Sequence, residues 1–154
     1  MPDATLARLA DNGGVCMITF VPPFVSQCVS DWFAEATQAF RESGIEPGTA
    51  EASTFWPKWS ESHPEPRATL DDVVRHIEHA REVAGIEHIG LGGDFDGVGA
   101  MPTGLHDVSC YPALLTRLAE RGWTAAELRA LVGENALRVL ADADGGHPTR
   151  AAQP

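Results

Sequence analysis

Lysine is all but missing from this 154-residue sequence: Lys58 is the only one, and arginine supplies the rest of the basic side chains. That bias points to a GC-rich bacterial genome. The 11 basic residues stand against 22 acidic ones, a formal net charge of −11, and no basic cluster is visible. Phosphate backbones are gripped by clustered Lys and Arg, so a nucleic-acid surface is not expected. Long apolar runs are missing too. No stretch approaches the ~18 residues of a membrane-crossing helix, and MPDATLARLADNGG lacks the cationic start and apolar core of a secretory signal. Cysteine is sparse: Cys16, Cys28 and Cys110 are odd in number and widely spaced. Without a CxxC pair, neither a zinc ribbon nor a thioredoxin-type site is indicated. Cys16 lies in an apolar run, where a buried reduced thiol is the expected state, and a cytoplasmic setting follows. No GxxxxGK[ST] or GxGxxG phosphate loop occurs.

At 44% hydrophobic, there is enough apolar material for one domain. Asp3 is placed to cap a short helix over 4–10, which Asn12-Gly13-Gly14 breaks. The run VCMITFV (15–21) is continuously apolar, the pattern of a strand buried on both faces, and Pro22-Pro23 ends it. Ser30 or Asp31 begins a helix with Trp32, Phe33, Ala36 and Phe40 as its stripe, closed at Ser43-Gly44. Residues 45–68 are rich in Pro, Gly, Ser and Glu and read as a long loop, with Phe55, Trp56 and Trp59 as packing anchors. Thr69 and Asp72 form a capping box for a helix over 70–84, stopped by Gly85. His88 opens a second strand, HIGLGGDF. Past a glycine-rich loop (97–104), Tyr111-Pro112 starts another helix. Thr124 to Glu127 caps a further one, and a last helix spans 134–141. The tail 142–154 is expected to be disordered.

Two buried strands separated by helical connections make a parallel βαβ unit, hence an α/β class. A pair with both edges open is a poor sheet by itself, which marks the domain as incomplete.

The second strand runs into Gly92-Gly93-Asp94-Phe95-Asp96-Gly97. If it stays extended, Asp94 and Asp96 share a face, at the strand end where α/β folds bind ligands. A carboxylate there takes up and returns protons or holds a hard cation. An Asx-type turn explains the same residues equally well. DFDG does not fit the calcium-loop pattern. A phosphotransferase using Asp94 as nucleophile would need a downstream lysine, and Lys58 lies upstream. His76 and His79 sit i, i+3 on a helix, spacing that can share a metal, but beside an apolar stripe they read as core or surface histidines.

VVRHIEHAREVAGIEHIGLGGDFDGV, then GL-DVS-YP-LL--L-ERGWT, then GEN-LRVL closely resemble the C-terminal part of the membrane (renal) dipeptidase family, and VCMITFVPPFVS resembles its preceding strand. The resemblance covers roughly 2–140. It implies a metal-dependent dipeptidase with a (β/α)8 barrel of TIM type and a binuclear zinc centre, this chain carrying the last two strands and their helices over 1–141. Asp94 then transfers the proton during attack on the dipeptide carbonyl and contacts substrate, Asp96 shapes the loop, and Phe24 lines the substrate pocket. The family's zinc ligands, an HxD pair, a bridging Glu and two later His, all belong to an upstream part. None is matched in this chain, so no metal ligand is assigned and little activity is expected of the chain alone. A barrel needs ~250 residues. The expected origins are a truncated gene, a late start codon or a split protein. A non-catalytic remnant docking onto a complementary N-terminal half, or pairing with its own copies, is the alternative.

Overall fold

The computed structural model describes residues 1–145. Two one-turn helices, α1 (Asp3–Leu6) and α2 (Leu9–Asn12), lead into β1 (Cys16–Thr19). The short α3 (Pro22–Val25) and the long α4 (Gln27–Glu42) follow, then α5 (Ala50–Ser62) and α6 (Leu70–Ala84). A 3-10 turn (Ile86–His88) delivers β2 (Ile89–Gly93), and α7 (Tyr111–Glu120), α8 (Ala125–Arg129) and α9 (Asn135–Gly145) complete the order. The result is a helix-rich α/β unit around one small sheet.

β1 and β2 are parallel, Cys16 beside Ile89 and Ile18 beside Leu91, with an irregularity between Ile18 and Thr19. Ile18, Phe20 and Ile89 are buried together with Val73, Ile77, Leu114, Leu118 and Leu131 from the helices. Each large apolar side chain so placed contributes roughly 1.5–3 kcal/mol. The expectation of burial on both strand faces is corrected: Met17, on the other face, is 43% exposed. The core covers one face of the pair only, and among the described residues neither outer edge has a partner strand.

α6 is the element the sequence specifies most completely. The Thr69 hydroxyl accepts from Asp72 N, and the Asp72 carboxylate accepts from Thr69 N at 2.7 Å. Val73, Val74, Ile77, Ala80 and Ala84 form its buried stripe. At the far end of the sheet, Asn135 is buried and donates to the carbonyls of Ile86 (2.6 Å) and Ile89 (2.8 Å). Arg138 donates to Gly13 O and Glu87 O, both at 2.8 Å, so the last helix fastens the starts of both strands. His88 Nδ1 lies 2.8 Å from Gly14 O at that same end, a tie between strand entries.

Several expected boundaries differ. Asp3 does not cap α1; Pro2 holds that place and the Asp3 carboxylate meets His79 Nε2 at 2.9 Å. The expected loop over 45–68 contains α5, capped by Thr49, whose side chain accepts from Ala52 N at 3.2 Å. Its aromatics are packing anchors as expected: Trp56 stacks on Phe40 of α4, and Phe55 meets Phe40 edge-on at 5.0 Å. α4 starts at Gln27, ahead of the expected Ser30. The last helix passes Ala141 and reaches Gly145, and the rest of the tail expected to be disordered, 146–154, lies outside the described residues.

Candidate functional site

β2 stops at Gly93, and both Gly93 (φ 68°) and Asp94 (φ 69°) are left-handed. Asp94 is the only non-glycine residue with positive φ among the described residues. Such a conformation costs an L-residue roughly 1–2 kcal/mol, tolerated where the surroundings enforce it. Here Asp94 N donates to Gly92 O (2.8 Å), and Gly97 N donates to Asp94 O (3.2 Å), so the chain turns sharply twice. Asp94 and Asp96 therefore do not alternate along an extended strand, and the expectation that they share a face is not met. Both are exposed. Among the described residues the Asp96 side chain makes no hydrogen bond, and the turn is held by the Asp94 carbonyl and Gly97 instead.

The surroundings are closely packed. Tyr111 packs against Phe20 and Phe95, with ring centroids 5.9 and 5.8 Å apart, and Phe20 meets Phe95 edge-on. A Cβ on Gly93 would stand 2.9 Å from the Tyr111 hydroxyl oxygen, so only glycine fits there. Burial pushes the Tyr111 phenol up, and it stays protonated at neutral pH. The loop after Asp94 is tied down farther on. Leu70 N donates to Thr103 O, Thr103 N donates to Ala68 O, and Leu105 is fully buried.

Phe24, on α3 just past β1, is 66% exposed. It lines a cavity of about 490 Å³ with Met17, Thr19, Leu6, His76 and His79 along the open side of β1. Asp94 is not among that cavity's lining residues, so Phe24 and Asp94 stand beyond neighbouring strand ends without closing one pocket. The histidine pair is split between an exposed His79 and a half-buried His76. His79 binds Asp3, while burial, then the nearby His79 and N-terminal amine, pull His76 below its usual value. Burial raises the Cys16 thiol, as expected for an inert cysteine. Lys58 lines a different cavity with Phe55 and Trp59, which does not include Asp94.

A binuclear zinc centre needs several His and carboxylate ligands converging with a bridge between the ions. Among the described residues the only grouping of three such side chains is His106, Asp107 and Cys110, in the loop before α7. It omits Asp94 and has no second carboxylate to bridge, so the residues present do not fit a binuclear centre. In the sequence the trio is marked only by a His-Asp-x-x-Cys run. Hydrogen bonds from the Ser109 hydroxyl and N–H hold the Asp107 carboxyl below the usual range.

Against known proteins, the sequence model described as membrane dipeptidase (peptidase family M19) matches residues 1–152. An uncharacterized dipeptidase of Schizosaccharomyces pombe is 39% identical over 140 residues, 90% of this chain and 25% of that protein. Among solved structures, the probable dipeptidase PvdM from Pseudomonas aeruginosa superposes with a TM-score of 0.65 at 24% identity, over 90% of this chain and 39% of that one. A metallo peptidase from Rhodobacter sphaeroides, liganded with a phosphinate mimic of L-Ala-D-Ala, gives 0.63 at 22% identity, over 92% and 30%. At these identities the structures report a shared fold. The chain spans a quarter of the curated relative's length.

Proposed function

Because the chain belongs to the membrane dipeptidase family, we propose that it forms the last two strands and flanking helices of a (β/α)8 barrel that hydrolyses dipeptides. In this reading Asp94 is the proton-transfer carboxylate. It takes a proton from the attacking water and passes it to the departing amine, and it contacts the substrate. Phe24 would line the same substrate site from the neighbouring strand end only in the completed barrel, since in this chain its cavity does not include Asp94. The observation that carries this reading is the placement of Asp94: an exposed carboxylate at the C-terminal end of a parallel strand, held left-handed between two turns. That end of a parallel sheet is where such folds bind their ligands. Among the described residues no set fits the binuclear zinc expected of the family, whose ligands would come from the complementary barrel portion.

A second reading, a non-catalytic half-barrel that docks on a complementary chain, draws on the open face of β1 and the 43% exposure of Met17. A phosphotransferase is less well supported, since Lys58 lies on α5 and lines a cavity without Asp94. The two leading readings separate in a zinc-supplemented dipeptide assay, run on this chain alone and after co-expression with the upstream barrel portion of a relative. The catalytic reading expects no turnover from the chain alone and turnover with the added portion. Stable pairing without turnover leaves the docking role.

A further inference from the structure

We propose that His106, Asp107 and Cys110 form a mononuclear site for a borderline-soft divalent cation of the zinc type, with a solvent molecule as the fourth ligand. The three side chains come from one short segment and their ligand atoms all lie within 4.8 Å of one another. The imidazole stands between the other two groups: Cys110 Sγ is 3.4 Å from His106 Nδ1 and 3.6 Å from Nε2, and Nε2 is 3.7 Å from Asp107 Oδ2. A tetrahedral zinc, with bonds of about 2.3 Å to sulfur and 2.0–2.2 Å to nitrogen and oxygen, requires edges of about 3.6 Å for S to N and 3.4 Å for N to O. Two of the three edges are therefore already close to their metal-bound lengths. The third, between Cys110 Sγ and the Asp107 carboxylate, lies within 4.8 Å and shortens as the exposed side chains gather on the ion.

The carboxylate is set up for the same task. Asp107 Oδ1 accepts from Ser109 N (2.8 Å) and from the Ser109 hydroxyl, which fixes the group and leaves Oδ2 facing the histidine. This is the outer-sphere support that metal-binding carboxylates normally have. His106 is 73% exposed and Asp107 54% exposed at the side chain, so an ion enters without opening the fold. Mixed thiolate, imidazole and carboxylate ligands favour zinc over magnesium or calcium, which prefer all-oxygen shells. Binding replaces the thiol proton: the S–H bond breaks, the sulfur pair coordinates the ion, and one proton goes to solvent. The site pins the exit of the loop that begins at Asp94, since Cys110 precedes Tyr111, whose ring packs on Phe20 and Phe95.

Cobalt(II) titration of the Cys16→Ser/Cys28→Ser chain tests this, because Cys110 is then the only thiol. The expected result is one cobalt per chain, with a thiolate-to-cobalt charge-transfer band that zinc bleaches and a zinc-dependent rise in Tm. Further replacement Cys110→Ser abolishes the band. His106→Ala and Asp107→Asn, both at exposed positions, weaken binding by at least about tenfold. His76→Ala leaves it unchanged. Absence of the band in the well-folded chain overturns the site, as does a band that His106→Ala or Asp107→Asn leaves at full affinity. None of these readouts depends on peptide hydrolysis, so failure here and failure of the dipeptidase reading are separable.

Discussion

The Asp94 carboxylate rests against the α-carbon of Gly97: a Cβ placed there would stand 2.1 Å from Oδ1 and 2.8 Å from Cγ. Gly97 is not left-handed, so alanine brings no backbone strain. Gly97→Ala must instead swing the carboxylate away. Unfolding in urea should shift by less than about 1 kcal/mol. If Asp94 is the proton-transfer group proposed above, kcat of the assembled enzyme should fall about tenfold or more, because a small displacement of a reacting group is costly. An unchanged kcat would mean that the present carboxylate position is not the working one.

Asn135 is the second test, this time of the fold. Its side chain serves two carbonyls, of Ile86 and Ile89, from a buried position. Asn135→Ala strips both acceptors of their donor, which should cost about 1–3 kcal/mol. Urea denaturation should show a lower midpoint with an unchanged slope.

His76 gives a pH signature. Its ordinary value is 6.5, and burial holds it lower in the fold. Between the two values the unfolded chain binds a proton that the folded chain refuses. Stability should therefore fall as pH drops from 6.5 through the folded value, then level off. Asp71, Asp107 and Glu127 are shifted down from carboxylate values, so their losses come at more acidic pH. Replacing His76 with Asn should flatten the upper step of a Tm-against-pH curve and leave the acidic one.

Phe20 is fully buried at the meeting of the strand pair and Tyr111. Phe20→Ala should cost about 3–5 kcal/mol and loosen the Asp94 turn through Phe95. Hydrogen exchange over 93–97 should quicken more than global unfolding of α4 and α5 does.

The parallel pair and α6 were legible because their signals are local: continuous apolar runs and a Thr69–Asp72 box. α5 was not. Pro57 and a polar composition argue for a loop, and the helix owes its place to Phe55 and Trp56 packing on Phe40, a tertiary effect. For Asp94 the position after a strand left an Asx turn equally open, and only the family resemblance singled it out; its geometry was not legible, since left-handed Gly93 and Asp94 override the alternation of an extended chain. The His106 group was not legible because its His-Asp-x-x-Cys run matches no established ligand spacing, and the turn between Asp107 and Ser109 brings Cys110 to the histidine.

The most direct test of the central claim is Asp94→Asn, measured in the enzyme assembled from this chain and the upstream barrel portion of a relative. Assembly and zinc content should stay unchanged while kcat drops by about 10²–10⁴, the share of a proton-transfer group. A kcat equal to that of the unaltered enzyme would rule Asp94 out of that role.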